Sequence, residues 1–251
     1  MSAMIALLVA AVCPPQQLPP ARFTPGEVLQ YKLDVVGADV GTVEVRTEPP
    51  PAAEKEPAVA LLTVRAKASA FMSTNVGRYE SFATALIARD LSPLRYREDV
   101  DDGNVHRGIE MAFPPRNGSL TVNATKNGEP EPYTLVTGES VRDLFSALYL
   151  ARFVPLNQAV CLQVVAMRKL WKLTGRMSAR ETIETPVGRF QTLRFEGEAV
   201  RVDDPKIKRA AFVWVTDDER RLPLSAIGDV RGKTIRAQLV SAPGLRRAAR
   251  K

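Results

Sequence analysis

The sequence predicts a mainly β protein: one large, strongly curved antiparallel sheet or half-open barrel, with one α-helix at about 139–153 packed against or inside it. Three observations carry this. From residue 27 onward, apolar residues recur at every second position in run after run. Short turns rich in Gly, Pro, Asn and Asp separate the runs, and short turns join antiparallel neighbours. A single segment changes to helical spacing.

Taken in order, "QYKLDVV" places Tyr31, Leu33 and Val35 on one face and Lys32 and Asp34 on the other. "VGADVG" (Val36 to Gly41) reads as a hairpin, after which Val43 and Val45 resume the alternation. "PPPAAEKEP" (Pro49 to Pro57) is a loop, because its prolines cannot serve a central strand. Strands are expected at 58–70, 77–88, 93–100, 105–113 and 118–125, with "DVDDGNVH" and "PPRNGS" as turns between them. After residue 157 they return at 159–168, 170–184, 188–202, 208–216, 221–230 and 233–241. In "FVWVT" both faces are apolar, which predicts cover on both sides. Pro223 then requires an edge or a bulge in the strand that follows "DDER".

The helix comes from "ESVRDLFSALYLARF", Glu139 to Phe153. Leu144, Ala147, Leu148 and Ala151 form its apolar stripe. Ser140 and Asp143 resemble a capping box, and Pro155 ends the segment. Arg142, Phe145, Tyr149 and Arg152 share an adjoining face. They are candidate ligand-binding residues, since two guanidinium groups facing a cavity hold an anionic head group well. The competing reading is a structural salt bridge or the capping of strand-end carbonyls.

The two ends read differently from the body, which spans 23–242 as a single domain. Residues 1–22 form a signal-like segment and a Pro-rich tether. The apolar run Ile5 to Val12 is too short to span a bilayer and fits the core of a secretory signal. Cys13 directly follows it. Its candidate fates are removal, lipid attachment, or a disulfide with Cys161 in an oxidising compartment. Cys161, inside "AVCLQVV", otherwise reads as a buried thiol. The net charge is +7, but four of those charges fall in the last eight residues. The body is therefore only mildly basic, and no basic stripe interleaved with aromatics points to nucleic acid. The tail, 243–251, is a solvated terminus or a weak contact for anionic lipid.

No cofactor, metal or catalytic residue is expected. The single histidine, His106, sits beside a turn without metal-ligand spacing. No glycine-rich phosphate loop and no nucleophile elbow are present. Asp101–Asp102, Asp203–Asp204 and Asp217–Asp218 offer carboxylate pairs, but each lies among turn residues.

Five blocks in order carry a family resemblance: "FTPGEVLQYKLDVVGADVG", "LSPLRYRED", "RDLFSALYLARFVPL", "ETPVGRFQTLRFE" and "VWVTDDERRLPLSAIGDVRGKTIRAQL". The chain resembles the bacterial domain-of-unknown-function 3108 family. It departs at "PLNQAV", where the family often has a glycine. The resemblance implies an exported envelope protein with a curved antiparallel sheet and a helix, in the periplasm or associated with the outer membrane. It implies no activity. The leading expectation is a non-enzymatic protein that binds a lipid or acyl chain within the sheet. The alternatives are a structural or assembly protein that docks an envelope protein through a sheet edge or loops, and a hydrolase built on a carboxylate pair.

Overall fold

Two-residue turns set the framework. Val36–Gly37, Asn127–Gly128 and Met167–Arg168 have positive φ at both positions, the mirror-image geometry whose twist matches antiparallel strands. The computed structural model describes residues 13, 22–54, 57–113, 118–138, 141–230 and 232–245. β1 (Val28–Val35), β2 (Ala38–Glu48) and β3 (Ala58–Ala68) lead to a short α1 (Ala70–Asn75). There follow β4 (Glu80–Ala88), β5 (Pro93–Asp101), β6 (His106–Ala112), β7 (Gly118–Lys126), β8 (Glu129–Pro130) and β9 (Tyr133–Thr137). The second half comprises β10 (Val141–Asp143), α2 (Leu144–Ala151), β11 (Ala159–Ala166), β12 (Lys169–Thr185), β13 (Gly188–Arg201), β14 (Lys208–Thr216), β15 (Pro223–Val230) and β16 (Lys233–Ser241).

All the strands belong to one sheet. Its order runs from β10 through β16, then β1 through β8, with β9 also on β7. The first and last strands meet in the middle, where Tyr31 faces Leu239. Every pairing is antiparallel except β10 on β11. Antiparallel registers put the tips at 36–37, 127–128 and 167–168 at one end, here the upper end. Leu91, the turn at 217–222 and the segment 22–27 lie at the other.

The sheet curls around α2. One apolar cluster joins Leu62, Ile87, Leu120 and Val122 from one arm of the sheet with Leu162, Met177, Leu193 and Val215 from the other, and with Leu150 of the helix. A second cluster, Leu29, Tyr31, Leu222, Leu224 and Leu239, underlies the middle of the sheet. Each large apolar side chain so enclosed contributes about 1.5–3 kcal/mol. Tight curvature has a local cause. Gly175 faces Gly197, Gly197 faces Ala211, and Ala211 faces Gly228 across four strands. A methyl at Gly175 would lie 2.4 Å from the Phe195 ring and 2.6 Å from the Glu196 carbonyl oxygen. The ring therefore lies flat where a side chain would stand. Gly175→Ala is expected to cost about 1–3 kcal/mol through this clash, which urea denaturation would read as a lower midpoint at unchanged slope.

Several expectations need correction. The helix covers 144–151, not 139–153, because Val141–Asp143 pair with Gln163–Val165 as a parallel strand. Asp143 is extended, and its carboxylate accepts from Phe145 and Ser146 N–H, so the helix starts after it. Ser140 lies outside the described residues, as do the turn residues 114–117. Leu148, expected in the buried stripe, is exposed, while Ser146, Tyr149 and Leu150 are buried. β8 and β9 were not foreseen. Among the described residues, "FVWVT" has no second layer over it: Val213 and Val215 enter the core, while Trp214 donates to Glu181 on the outer face. At Pro223 the expected bulge is present. Trp214 faces Ser225 and Val215 faces Pro223, which leaves Leu224 unpaired in the register.

Candidate functional site

The residues singled out from the sequence divide between two places. Arg152, at the C-terminal end of α2, closes the lower mouth. Its Nη1 and Nη2 donate to Glu27 Oε2 and Oε1 at 2.8 and 3.2 Å. Its Nε and Nη2 also donate to the carbonyls of Arg221 and Arg220 at 3.0 and 3.1 Å. The guanidinium lies 4.6 Å from the Tyr149 ring centre, and the Phe23 ring stacks on Tyr149 with centres 5.0 Å apart. The Arg152 and Glu27 side chains are 3% and 2% exposed. Burial works against the charge on Arg152, but Glu27 and the surrounding oxygens outweigh it and hold its pKa above the ordinary arginine value. Burial raises the Tyr149 phenol. This is a fully partnered buried ion pair with little spare capacity for a ligand.

Arg142 lies elsewhere, on β10. It donates to the carbonyls of Leu91 and Asp90 in the β4–β5 turn, and burial lowers its pKa. Phe145 stacks with Tyr96, ring centres 6.0 Å apart. The four residues thus do not converge on one cavity. Tyr149 and Arg152 belong to the lower closure. Arg142 ties the helix start to a turn, and Phe145 fills the interior. The salt-bridge and carbonyl-capping reading describes both arginines.

Asp143 is fully buried, and its Oδ2 meets no hydrogen-bond partner among the described residues. Burial raises its pKa, against the bonds from Ser146 and Phe145. The folded state then holds this proton to higher pH than the unfolded chain does. Stability falls as pH rises from the ordinary aspartate range through the raised value. Glu98, also raised by burial, adds a slope of the same sign. Asp143→Asn keeps an acceptor for both amides and removes the charge. It is expected to flatten the stability profile on the side above the ordinary aspartate range, about pH 4, as urea titrations from that pH upward would show. Asp143→Ala should instead lose the cap, about 1 kcal/mol.

The carboxylate pairs are used in three separate turns. Asp101 and Asp102 accept from Gly103, Asn104 and Val105 N–H, and Asp102 pairs with Arg107. Asp203 meets Lys169, and Asp204 meets Arg201. Asp217 pairs with Arg180, while Asp218 accepts from Arg220 and Arg221 N–H and from Thr216 Oγ1. That last turn has a further role: it points the Arg220 and Arg221 carbonyls at Arg152. His106 is half exposed, 3.9 Å from Asp99. Among the described residues, no cluster of His, Cys, Asp and Glu could hold a metal, and no helix is long and apolar enough to cross a membrane.

Cys13 is bonded to Cys161, Cα atoms 5.3 Å apart. A sulfur in this bond has no valence left for a lipid, so Cys13 is here a cross-link rather than an anchor. Cys161 is correspondingly not a free thiol. The remainder of the signal-like segment and residues 246–251 of the basic tail lie outside the described residues.

The space expected to hold a lipid is occupied. Leu62, Ile87, Leu120, Leu150, Met177 and Leu193 fill it and are fully buried. Two depressions on the described surface are open and superficial. One lies over the Gly175–Gly197 row beside Cys161, and the other is lined by Glu131, Pro132, Tyr133, Met167, Arg168 and Lys169.

The sequence profile of the family described as "Protein of unknown function (DUF3108)" matches residues 30–230. The chain belongs to this family. The family match spans the curled sheet from within β1 to the end of β15, but not Glu27 or Cys13. Among solved structures, the chain is similar to a β-barrel-like protein of the domain of unknown function DUF1849 from Brucella abortus. That likeness has a TM-score of 0.57 at 10% identity, covering 90% of this chain and 98% of the other. It extends the barrel-like architecture beyond the family. Weaker likenesses are to a candidate exported protein with a YmcC-like fold from Bacteroides fragilis (TM-score 0.38, 11% identity, 89% and 98% covered) and to a candidate lipoprotein from Parabacteroides distasonis (TM-score 0.36, 9% identity, 90% and 100% covered). No curated protein matches.

Glu27 was missed by the reading of residues. It stands as one acid before an apolar strand, and nothing local marks it as the partner of Arg152. β9 was missed for a different reason. "NG" at 127–128 was a legible hairpin signal, but the prolines on either side of Glu131 obscured the strand that follows.

Proposed function

We propose that this is an exported, non-enzymatic envelope protein that works by docking a partner on its outer surface. The observation that carries this reading is the filled interior: fully buried side chains from both arms of the sheet and from α2 occupy the volume an acyl chain would need. The lipid-carrier reading therefore yields to the assembly reading. The apolar run before Cys13 and the Cys13–Cys161 bond support export, since such bonds persist in oxidising compartments. The carboxylate pairs, each bound up in its own turn, offer no converging acid and base.

Two measurements test it. In intact cells, the two cysteines should resist maleimide until a reductant is added; immediate labelling of both would place the chain in a reducing compartment and sink the export reading. Native mass spectrometry of protein purified from the envelope should give the bare polypeptide mass. A stoichiometric lipid adduct would restore the carrier reading.

A further inference from the structure

The geometry points to the upper rim of the sheet as a surface that docks on a lipid bilayer, with apolar tips seated beneath neutral headgroups. This rests on the outer-surface docking reading and names the partner. Among the described residues, eight large apolar side chains are exposed, and five of them stand at the upper rim: Val36, Phe71, Val76, Tyr79 and Met167. Apolar residues scattered singly over a surface are ordinary, but such a concentration marks an interaction site. Val36, at the tip between β1 and β2, is 99% exposed. Its φ is 52°, a conformation foreign to β-branched residues. Met167 holds the same position in the β11–β12 tip, 60% exposed and also at φ 52°. The third tip of this form, Asn127–Gly128, has the residues that suit it. At the other two tips, the outermost side chain is an apolar one that the turn itself disfavours. α1 adds to the same rim. None of its residues is buried, so its side chains do not hold it in place. Its ends do: Ser69 Oγ donates to the Asp39 carbonyl and accepts from Met72 N–H, while Val76 and Gly77 N–H donate to the Met72 carbonyl. Phe71 and Val76 project from it into solvent.

Charge, spacing and area all favour a bilayer over a protein. The cations beside these side chains already meet carboxylates. Lys67 and Arg78 meet Glu80 at 3.3 and 2.9 Å, Lys32 meets Asp39 at 3.1 Å, and Arg168 meets Glu131 at 3.1 Å. Little unpaired charge is left there to steer an oppositely charged partner, and a zwitterionic headgroup layer is the matching surface. The tips are also far apart. Six strand positions separate the β1–β2 tip from the β11–β12 tip, about 29 Å along the sheet at ~4.8 Å per strand. A peptide would reach one tip at a time, whereas a flat layer at this end meets both. A protein interface, one with a second copy included, needs ~1,000 Å² of complementary surface, and tips this far apart do not present it. Lipid needs no matching surface, because each apolar side chain that enters adds its own transfer free energy. The basic tail cannot stand in for the rim. It follows β16, whose last residue, Ser241, lies toward the lower end opposite Gln30, so its attraction to anionic lipid would turn the molecule the other way.

Co-sedimentation of the full chain with neutral vesicles of phosphatidylcholine and phosphatidylethanolamine tests this. Binding should be measurable at millimolar lipid and persist at about 0.5 M salt, where surface charge is screened. Phe71→Asp should weaken it roughly tenfold with an unchanged melting curve, since no α1 residue is buried. Val36→Asn and Met167→Asn should each weaken it about threefold while raising the melting temperature, because asparagine suits positive φ. A purely structural role for either side chain predicts the opposite shift in melting. No binding to neutral vesicles at millimolar lipid would overturn the docking surface, as would binding that all three substitutions leave unchanged. Binding that requires anionic lipid and vanishes at high salt would give the contact to the basic tail and overturn it too. A benzophenone amino acid in place of Phe71 should form lipid adducts in intact cells. A discrete protein adduct there would give the rim to a protein partner, and a lipid-free dimer that Val36→Asn dissolves would give it to a second copy; either result overturns the bilayer assignment. Vesicle binding is read on purified protein, so it holds or fails independently of the maleimide and native-mass results.

Discussion

Glu27→Gln is expected to lower stability by about 3–5 kcal/mol, because it leaves the Arg152 guanidinium buried without its counter-charge. For a chain of this size that is a drop in Tm on the order of 10 °C. The pair is bidentate and almost wholly removed from solvent. Two carbonyls and a tyrosine ring remain around Arg152 in the variant, but none supplies a negative charge. Arg152→Met should be comparably damaging, since it strands the Glu27 carboxylate. The double change Glu27→Leu with Arg152→Met should cost clearly less than the two single losses added together, because no charge is left unpaired. Thermal melts of the three variants check this. If Arg152→Met folded as stably as the parent, the lower closure would not rest on this pair, and a ligand-binding role for Arg152 would return.

Reduction of Cys13–Cys161, or Cys161→Ser, is expected to cost about 2–5 kcal/mol. The bond joins residues 148 apart in sequence, so it restricts most of the unfolded chain. Part of that gain is offset by holding the N-terminal segment on β11. Melting with and without reductant measures the effect. The parent should lose stability on reduction, and the Cys13→Ser, Cys161→Ser double variant should not respond. Identical parent curves in both conditions would show that the cross-link contributes nothing to the fold. Should both predictions hold, the N-terminal segment is fastened twice: to the end of α2 by charge at Glu27 and to β11 by sulfur at Cys13.

Much of the architecture was legible because its causes are local. Alternation in "QYKLDVV" and "TVEVRT" follows from side chains pointing to opposite faces of a strand. The bulge at Pro223 follows from a missing N–H. The helix was legible as a helix, yet its start was misplaced by several residues. Asp143 can serve as a cap or stand within the first turn, and only the pairing of Val141–Asp143 with β11 decided between them. The candidate site was half legible. Arg142, Phe145, Tyr149 and Arg152 were found because they share a helical face, and Tyr149 and Arg152 do lie together. What they face was not legible. Glu27 reaches Arg152 across 125 residues of sequence, and Arg142 reaches Leu91 across 51.

By itself, the sequence determined most of the strands, though not β8, β9 or β10, along with the turn chemistry, the main helical segment and the family. These depend on backbone sterics and side-chain spacing over a few residues. Tertiary structure alone decided two things: large apolar side chains from both arms and from α2 pack together inside the sheet, and Arg142 and Arg152 bond to protein oxygens far away in sequence. Each depends on how tightly the sheet curls. Curvature brings Leu62, Leu150 and Leu193 into one cluster and closes the lower mouth on a buried charge pair.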